Sequence, residues 1–203
     1  MSDDPLKAPL WKPRPVEETM KVYADWADSY DHDVTSKGYR TPDRIAQALS
    51  THLTGDGPIL DFGCGTGISG MAMKMAGIGP LHGTDISQEM LDLAEGKSIY
   101  DRLWLGEPGA VPAKPGEYRA IVAAGVVSLG AAPPETLDSL ISALAAAALL
   151  ALSFNDPTLE DGSYDKHLEG VVDAGLVKIV FREHGPHLEG IGMKSDVIVL
   201  RRT

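Results

Sequence analysis

The stretch that decides the fold is ILDFGCGTG, residues 59–67. It begins as a short apolar run and ends in alternating glycines, Gly63, Gly65 and Gly67. Glycine has no Cβ and tolerates positive φ, so a backbone built from it turns tightly and approaches a ligand closely. A helical pattern follows, and the free N–H groups at the start of a helix suit a carboxylate or a phosphate. The stretch therefore predicts a strand, a ligand-binding turn and a helix.

Apolar runs alternate with helical periodicity along the rest of the chain. Such alternation predicts an α/β fold with a doubly wound sheet and helices on both faces, whose ligands bind beyond the carboxyl ends of the strands. The last two strands follow each other directly, which predicts an antiparallel pair and makes the seven-stranded sheet a mixed one. The predicted strands are 59–62, 81–84, 99–105, 118–124, 149–154, 176–183 and 197–201.

The composition narrows the class of protein. The chain has 203 residues, 43% of them hydrophobic, which fits one globular domain. Its 18 basic against 29 acidic residues give a net charge of −11, which repels phosphate backbones and disfavours nucleic acid as a partner. A single cysteine excludes an internal disulfide, and no run reaches the ~20 apolar residues of a membrane helix. The acidic, proline-broken start is unlike a signal peptide, so we expect a cytoplasmic protein without a membrane partner.

Three kinds of cofactor loop compete for the glycines. A P-loop needs Lys and Ser or Thr after its last glycine, where this chain has Ile68. A dinucleotide fingerprint fails when counted from Gly63 but is met formally by GTGISG, residues 65–70. The third pattern, a tight G-x-G-x-G preceded by an acid, here Asp61, resembles motif I of the class I S-adenosylmethionine-dependent methyltransferases. In that family the acid is expected to accept a hydrogen bond from the ammonium group of the cofactor, a group that a dinucleotide lacks.

The second and fourth predicted strands extend the resemblance. Asp85 ends the second strand, where acids that bind ribose hydroxyls lie in nucleotide-binding sheets, although NAD enzymes share this feature. The stretch DISQEMLDLA, residues 85–94, resembles the methyltransferase pattern D-x-S-x-x-M-L-x-x-A, which implies that Ile86 and Met90 line the adenine pocket. In the fourth strand the resemblance implies that Ala124 and Gly125 lie beside the sulfonium end of the cofactor.

The N-terminal region resembles a subgroup of this family. Residues 23–33 follow the pattern Y-x-x-W-A-x-x-Y-D of a cap helix, most like the small Williams–Beuren-region methyltransferase-like proteins. We therefore expect an extended, proline-rich arm over residues 1–15 and a single methyltransferase domain over residues 16–203. Within that domain, residues 16–54 are expected to form a helical lid and residues 55–203 the cofactor-binding sheet.

The resemblance and the loop positions together predict the site. The predicted cofactor-binding residues are Tyr30, Tyr39, Asp61, Gly63, Cys64, Gly65, Thr66, Gly67, Asp85, Ile86, Met90, Ala124 and Gly125. Substrate is expected to bind Asn155, which follows the fifth strand, and His184 and His187, in the link between the last two strands. No set of metal ligands is apparent, so no metal is expected.

The predicted function is transfer of a methyl group from S-adenosylmethionine to an O or N atom of a small molecule. Such transfer depends mainly on alignment and exclusion of water, and needs a base only when the nucleophile is protonated. Two alternatives stay open. One is an NAD(P)-dependent oxidoreductase, and the other is a non-catalytic module that keeps the cofactor pocket. The second arises because Ala145–Ala148 replaces the usual Pro-Gly-Gly before the fifth strand, where we expect the preceding helix to run on to residue 147.

Overall fold

The computed structural model describes Leu6 and residues 8–203. Its helices are α1 (Val16–Ser36), α2 (Thr41–His52), α3 (Ile68–Met75), α4 (Gln88–Gly96), α5 (Thr136–Ser142), α6 (Asp156–Asp161) and α7 (Ser163–Asp173). Its strands are β1 (Ile59–Phe62), β2 (Leu81–Asp85), β3 (Arg102–Leu105), β4 (Ala120–Ala123), β5 (Leu149–Asn155), β6 (Val177–Leu188) and β7 (Met193–Arg202). Short 3-10 turns span Ala8–Trp11 and Glu189–Ile191.

The strands form one seven-stranded sheet in the order β3-β2-β1-β4-β5-β7-β6. Strands β1 to β5 are parallel, and β7 pairs antiparallel with both β5 and β6, so the predicted mixed, doubly wound sheet is confirmed. The chain runs outward from β1 to β3 and then returns to place β4 on the other side of β1. The carboxyl ends of β1 and β4 therefore form the switch point at which such sheets bind ligands.

Both faces of the sheet are covered, as the alternation of side chains along a strand requires. Leu60 and Ile121 belong to the core on the face of α5 and α7. Ile59 and Val122, their neighbours in sequence, belong to the core on the face of α2 and α3. Strands β4 and β5 are buried along their whole length, as is usual for central strands of a parallel sheet.

The region predicted as a lid, residues 16–54, divides into two parts. Helix α1 crosses the carboxyl edge of the sheet and contacts α4. Helix α2 instead packs on the face of the sheet, where Ile45 and Leu49 are buried against the core. The arm before α1 is not extended throughout, because residues 8–11 form a 3-10 turn. None of the described helices combines the length and the apolar character needed to cross a lipid bilayer.

Two predicted elements have different bounds. Strands β6 and β7 are longer than expected, so His184 and His187 lie within β6 and not in a link. The expected extension of the helix across Ala145–Ala148 was wrong, since α5 ends at Ser142. The chain then turns into β5 through Ala147, which has φ +68° and donates its N–H to the carbonyl of Arg202 over 2.9 Å.

The turn at Ala147 predicts a stabilising substitution. A left-handed conformation costs an L residue ~1–2 kcal/mol, whereas glycine adopts it freely but loses more entropy on folding, about 0.5–1 kcal/mol. Ala147→Gly is therefore expected to raise the free energy of unfolding by about 0.5–1 kcal/mol in urea titrations. The neighbouring exposed Ala146 has no positive φ, so Ala146→Gly should lower the stability. Equal losses in the two variants would show that position 147 carries no strain.

Candidate active site

A cavity of about 640 Å³ lies beyond the carboxyl ends of the strands. Its volume is in the range of small-molecule sites, ~300–1,000 Å³. What we call the β2 side of the cavity is lined by the glycine turn, the end of β2 and the loop after β3. What we call the β5 side is lined by the ends of β4, β5 and β6 and by the N-terminal arm, and helix α1 spans both sides.

The glycine turn is fixed by the end of β2. The N–H groups of Gly63 and Cys64 both donate to the carbonyl of Thr84, over 2.8 and 3.0 Å. The Asp85 carboxylate accepts the Gly65 N–H over 2.8 Å and the Ser87 N–H over 2.9 Å. Burial raises the pKa of Asp85. Asp85 lines the cavity while it holds the turn, and each of its oxygens has a lone pair left for a ligand.

The space around the turn depends on the absence of side chains. Gly63 has φ +68°, and a Cβ there would lie 2.4 Å from a methyl group of Val126. Gly65 has φ +53°, and a Cβ there would meet no atom within 4 Å, because the residue borders the cavity. The turn therefore leaves room for a ligand directly against the backbone of Gly65.

Asp61 lies beneath the turn and not in the cavity. Its side chain is fully buried, and Oδ2 accepts hydrogen bonds from the hydroxyls of Ser69 and Tyr100, both over 2.7 Å. Oδ1 has no hydrogen-bond partner among the described residues. Burial raises the pKa of Asp61 to about 6. The structure thus gives Asp61 a role in joining β1 to α3 through Oδ2, and its contact with a cofactor ammonium group stays a prediction.

The cavity collects most of the predicted residues but not all of them. Those that line it are Tyr30, Tyr39, Gly63, Gly65, Asp85, Ile86, Met90, Ala124, Gly125, Asn155 and His187. Those that do not are Asp61, Cys64, Thr66, Gly67 and His184. Asp61, Cys64, Thr66 and Gly67 belong to β1 and the turn after it, where successive residues alternate in direction and cannot all face one ligand.

Each of these outlying residues has a structural partner. The buried Cys64 thiol packs beneath β2, and burial raises its pKa. Gly67, with φ +91°, is the N-cap residue directly before α3. His184 hydrogen-bonds through Nδ1 to Asp196 over 2.8 Å, on the far side of β6 from the cavity residue His187.

One contact that joins α1 to the glycine turn was not predicted from the sequence. The carboxylate of Asp31 accepts hydrogen bonds from the Thr66 hydroxyl and from the ammonium group of Lys97, which also donates to the Thr66 carbonyl over 2.6 Å. The only signal was the Tyr-Asp pair in the cap pattern, which places Asp31 directly after the cavity residue Tyr30. The contact holds α1 across the mouth of the β2 side.

Aromatic side chains of α1 form a wall of the cavity. Trp26 packs edge-on against Tyr30 with centroids 4.7 Å apart, and Tyr23 lies 6.2 Å from Trp26. The Tyr39 hydroxyl lies 3.5 Å from where a Cβ of Gly125 would stand. Burial raises the pKa of Tyr23, Tyr30 and Tyr39, so all three stay protonated at neutral pH.

The N-terminal arm closes the β5 side, which the sequence did not predict. The Arg14 guanidinium lines the cavity and donates to the Gly130 carbonyl over 3.1 Å. Leu10 and Trp11 line the same wall. These residues had been expected to form a separate extended arm, because proline spacing shows where a helix is blocked but not where the chain folds back.

His187 reaches the cavity from a bulge in β6. The register of β6 against β7 shifts between Pro186 and Leu188, which turns His187 inward. Its Nδ1 lies 2.8 Å from the Thr41 hydroxyl, and its ring packs edge-on against Tyr39. The pKa of His187 is lowered to about 4, mainly by burial, with the charge of Asp156 opposing this shift and that of Arg44 adding to it. The imidazole is therefore neutral at pH 7.

The sheet order, the glycine turn and Asp85 together define a class I S-adenosylmethionine-dependent methyltransferase fold. Residues 59–148 match the family model described as a methyltransferase domain. The match covers less than half of the chain and agrees with the resemblance found in the sequence.

Curated relatives support the same family. Human methyltransferase-like protein 27 is 33% identical over 128 residues, which cover 61% of this chain and 52% of that protein. Ribosomal protein L11 methyltransferase of Paraburkholderia phymatum is 28% identical over 124 residues, covering 55% of this chain and 41% of that protein. The chain thus spans about half the length of the curated relatives it matches, and the first of them confirms the resemblance to the Williams–Beuren-region proteins.

Solved structures share the fold at low sequence identity. Magnesium protoporphyrin IX methyltransferase from Synechocystis, with bound S-adenosylhomocysteine, superposes with a TM-score of 0.66 at 17% identity, covering 90% of this chain and 99% of that one. Geranyl diphosphate C-methyltransferase from Streptomyces coelicolor superposes with a TM-score of 0.66 at 15% identity, covering 94% of this chain and 100% of that one.

The buried carboxyl of Asp61 predicts a pH dependence of stability. Its pKa in the folded protein is about 6, above the ordinary 3.8, so the folded state holds this proton more tightly than the unfolded chain does. The contribution of Asp61 to the free energy of unfolding therefore falls as pH rises from about 4 to about 6. The free energy of unfolding of the wild type, minus that of Asp61→Asn, should fall by about 2–3 kcal/mol as pH rises across that window, since each pKa unit is worth about 1.4 kcal/mol.

Urea titrations at several pH values measure this difference. Asp43→Asn, at an exposed position on α2, is the matched control and should leave the shape of the wild-type curve unchanged. Parallel curves for wild type and Asp61→Asn would contradict the raised pKa.

Proposed function

We propose that the protein is an enzyme that transfers a methyl group from S-adenosylmethionine to an O or N atom of a small molecule. The observation that carries the proposal is that one continuous cavity joins the β2 side, with the Gly65 turn and Asp85, to the β5 side. A cofactor and an acceptor need such a shared space, because the methyl carbon must meet the nucleophile in line and away from water.

The residues of the β2 side suit the cofactor. In this proposal Asp85 accepts the ribose hydroxyls, Ile86 and Met90 contact adenine, and the open backbone at Gly63 and Gly65 receives the amino-acid part. The cofactor supplies an activated methyl group on sulfonium. The protein supplies position and a dry site.

The reacting end of the cofactor is assigned to the middle of the cavity. Ala124 and Gly125 follow β4 at the switch point, and Tyr30 and Tyr39 cover the same region with protonated hydroxyls. The Tyr39 hydroxyl lies 3.5 Å from the Cβ position of Gly125, an ordinary contact distance, so Tyr39 packs directly over this turn. This group would align the methyl carbon between the two sides of the cavity.

A small acceptor agrees with the walls of the β5 side. The arm and α1 cover this side, and a macromolecule would have to displace both to reach the ends of β4 and β5. The net charge of −11 opposes nucleic acid, and the chain has AGVV, residues 124–127, where nucleic-acid amino-methyltransferases carry Asn/Asp-Pro-Pro-aromatic. The structural relatives are named for acceptors as different as magnesium protoporphyrin IX and geranyl diphosphate, so the acceptor is argued from this cavity alone.

The dinucleotide alternative is opposed by the position of Gly70. In the fingerprint starting at Gly65, Gly70 is the third glycine, which should permit close packing of helix and strand. Here its hydrogen faces Tyr100, and a Cβ would lie 2.4 Å from the tyrosine hydroxyl. This glycine is thus explained by the Tyr100 bond to Asp61, without a dinucleotide. A non-catalytic module with the same pocket is distinguished by a turnover assay.

Binding of the cofactor is the experiment that tests the proposal. Calorimetric titration should show binding of S-adenosylmethionine and S-adenosylhomocysteine and none of NADH. Asp85→Ala should weaken S-adenosylhomocysteine by about 1–3 kcal/mol, the scale for unpaired polar groups, or about 5- to 150-fold in Kd. Asp92→Ala, at an exposed position on α4, is the matched control and should bind as wild type does. Binding of NADH alone, or unchanged affinity in Asp85→Ala, would contradict the assignment.

A further inference from the structure

Several polar side chains on the β5 side of the cavity can donate hydrogen bonds to a ligand. Three side chains there have polar atoms left over after their contacts within the described protein, namely Arg14, Asn155 and His187. The hydroxyls of Tyr30 and Tyr39 also line the cavity and stay protonated. Whether these atoms donate or accept hydrogen bonds determines which methyl acceptor fits the β5 side.

Asn155 turns its amide nitrogen toward the cavity. Its Oδ1 accepts the Thr158 N–H over 3.1 Å and the Thr158 hydroxyl over 2.6 Å, and so caps the start of α6. The backbone N–H of Thr158 can only donate, so the atom facing it is the oxygen. The NH2 group then remains for a ligand, because Asn155 lines the cavity.

The hydrogen bonds behind His187 settle which ring nitrogen carries the proton. Arg44 can only donate, and its Nη1 lies 3.2 Å from the hydroxyl of Ser195, which lies 2.9 Å from the hydroxyl of Thr41. Thr41 in turn lies 2.8 Å from Nδ1 of His187. If every hydroxyl donates away from Arg44, each proton in this series of hydrogen bonds has an acceptor, and Nδ1 of His187 accepts the last one.

The opposite direction leaves a proton without a partner. If Nδ1 donated to Thr41, the Thr41 hydroxyl would donate to Ser195, and the Ser195 proton would have no acceptor among the described residues. Ser195 is completely buried, so that proton would cost the desolvation penalty of an unmade hydrogen bond. The neutral ring therefore carries its proton on Nε2, the nitrogen without a protein partner among the described residues, and presents an N–H to the cavity.

Among the described residues, no carboxylate lines the β5 side. Tyr30 and Tyr39 hold their protons, and the two carboxylates in the cavity lining, Asp85 at the end of β2 and Glu107 after β3, lie on the other side. An acceptor that had to lose a proton during methyl transfer would find no group to take it. An acceptor that is already an anion needs none and matches a set of donors.

We propose that the acceptor is an apolar small molecule bearing a carboxylate, which His187 Nε2–H, the Asn155 amide and the Arg14 guanidinium orient for methylation on oxygen. This inference rests on the proposed function. A carboxylate oxygen forms the new bond to the methyl carbon while the sulfur–methyl bond breaks and its electron pair stays on sulfur. The anion and the sulfonium cation neutralise each other, giving a methyl ester and S-adenosylhomocysteine, and no proton moves. The walls formed by Leu10, Trp11 and the α1 aromatic residues suit the apolar remainder.

Binding of matched probes tests the acceptor class without turnover. The protein, saturated with S-adenosylhomocysteine, is titrated with 2-naphthoate, 2-naphthamide and 2-naphthol in a calorimeter. The carboxylate is expected to bind at least about tenfold more tightly than the amide, because hydrogen bonds to an ion are roughly twice as strong as neutral ones. Tighter binding of 2-naphthol, or no binding of 2-naphthoate or the shorter benzoate and phenylacetate at millimolar concentration, would overturn the proposal.

A matched pair of histidine variants assigns the donor. His187→Phe keeps a ring of similar size and removes the N–H, so 2-naphthoate should bind about tenfold more weakly, with a smaller loss for 2-naphthamide. His184→Phe is the control, since His184 bonds to Asp196 outside the cavity, and it should bind both probes as wild type does. Equal effects of the two variants would contradict the role of His187.

A measurement on the wild-type protein covers the case in which His187→Phe does not fold. Nitrogen-15 shifts of the imidazole rings at pH 7 should show His187 protonated on Nε2 and bare on Nδ1. A ring protonated on Nδ1 would make Nε2 an acceptor and overturn the proposal. Failure of the proposed function is seen separately, as absence of S-adenosylhomocysteine binding, and in that case the ring tautomer and the 2-naphthoate titration of the unsaturated protein still give their own answers.

Discussion

The hydrogen bond from the Gly65 N–H to the Asp85 carboxylate is the contact on which the site depends. It joins the turn after β1 to the end of β2, and Asp85 also accepts the Ser87 N–H at the start of α4. One carboxylate thus fixes both the glycine turn and the start of α4, and still faces the cavity. The raised pKa of Asp85 shows the cost of this arrangement, because burial opposes the charge that the two N–H groups stabilise.

The elements that cover the site are coupled to the same turn. Asp31 bonds α1 to Thr66 and Lys97, so the helix that carries the aromatic wall is held in position against the glycine turn. On the other side Arg14 ties the arm to the loop after β4. The cavity is therefore bounded by polar contacts at its two rims and by apolar side chains between them, which is the arrangement expected of a site that excludes water during methyl transfer.

The fold followed from local patterns, while much of the site did not. Alternation of apolar runs, and the ILDFGCGTG stretch, predicted the sheet and its switch point because strands buried on both faces and glycine turns leave strong local signals. The helix expected across Ala145–Ala148 failed because alanine propensity was overridden by the pairing of β5 and β7. Asp61 was expected to bind the cofactor, and the local pattern did not reveal that its Oδ2 also accepts hydrogen bonds from Ser69 and Tyr100.

The sequence by itself determined the class of fold, the resemblance to methyltransferases and the glycine turn, because each depends on residues that are neighbours along the chain. Only the tertiary structure decided which side chains share the cavity. Arg14, Asn155 and His187 are far apart in sequence, and a fold-back of the arm, a cap on α6 and a bulge in β6 bring them to one chamber. The tautomer of His187 depends on Arg44 through two hydroxyls, a relation that no spacing rule along the chain contains.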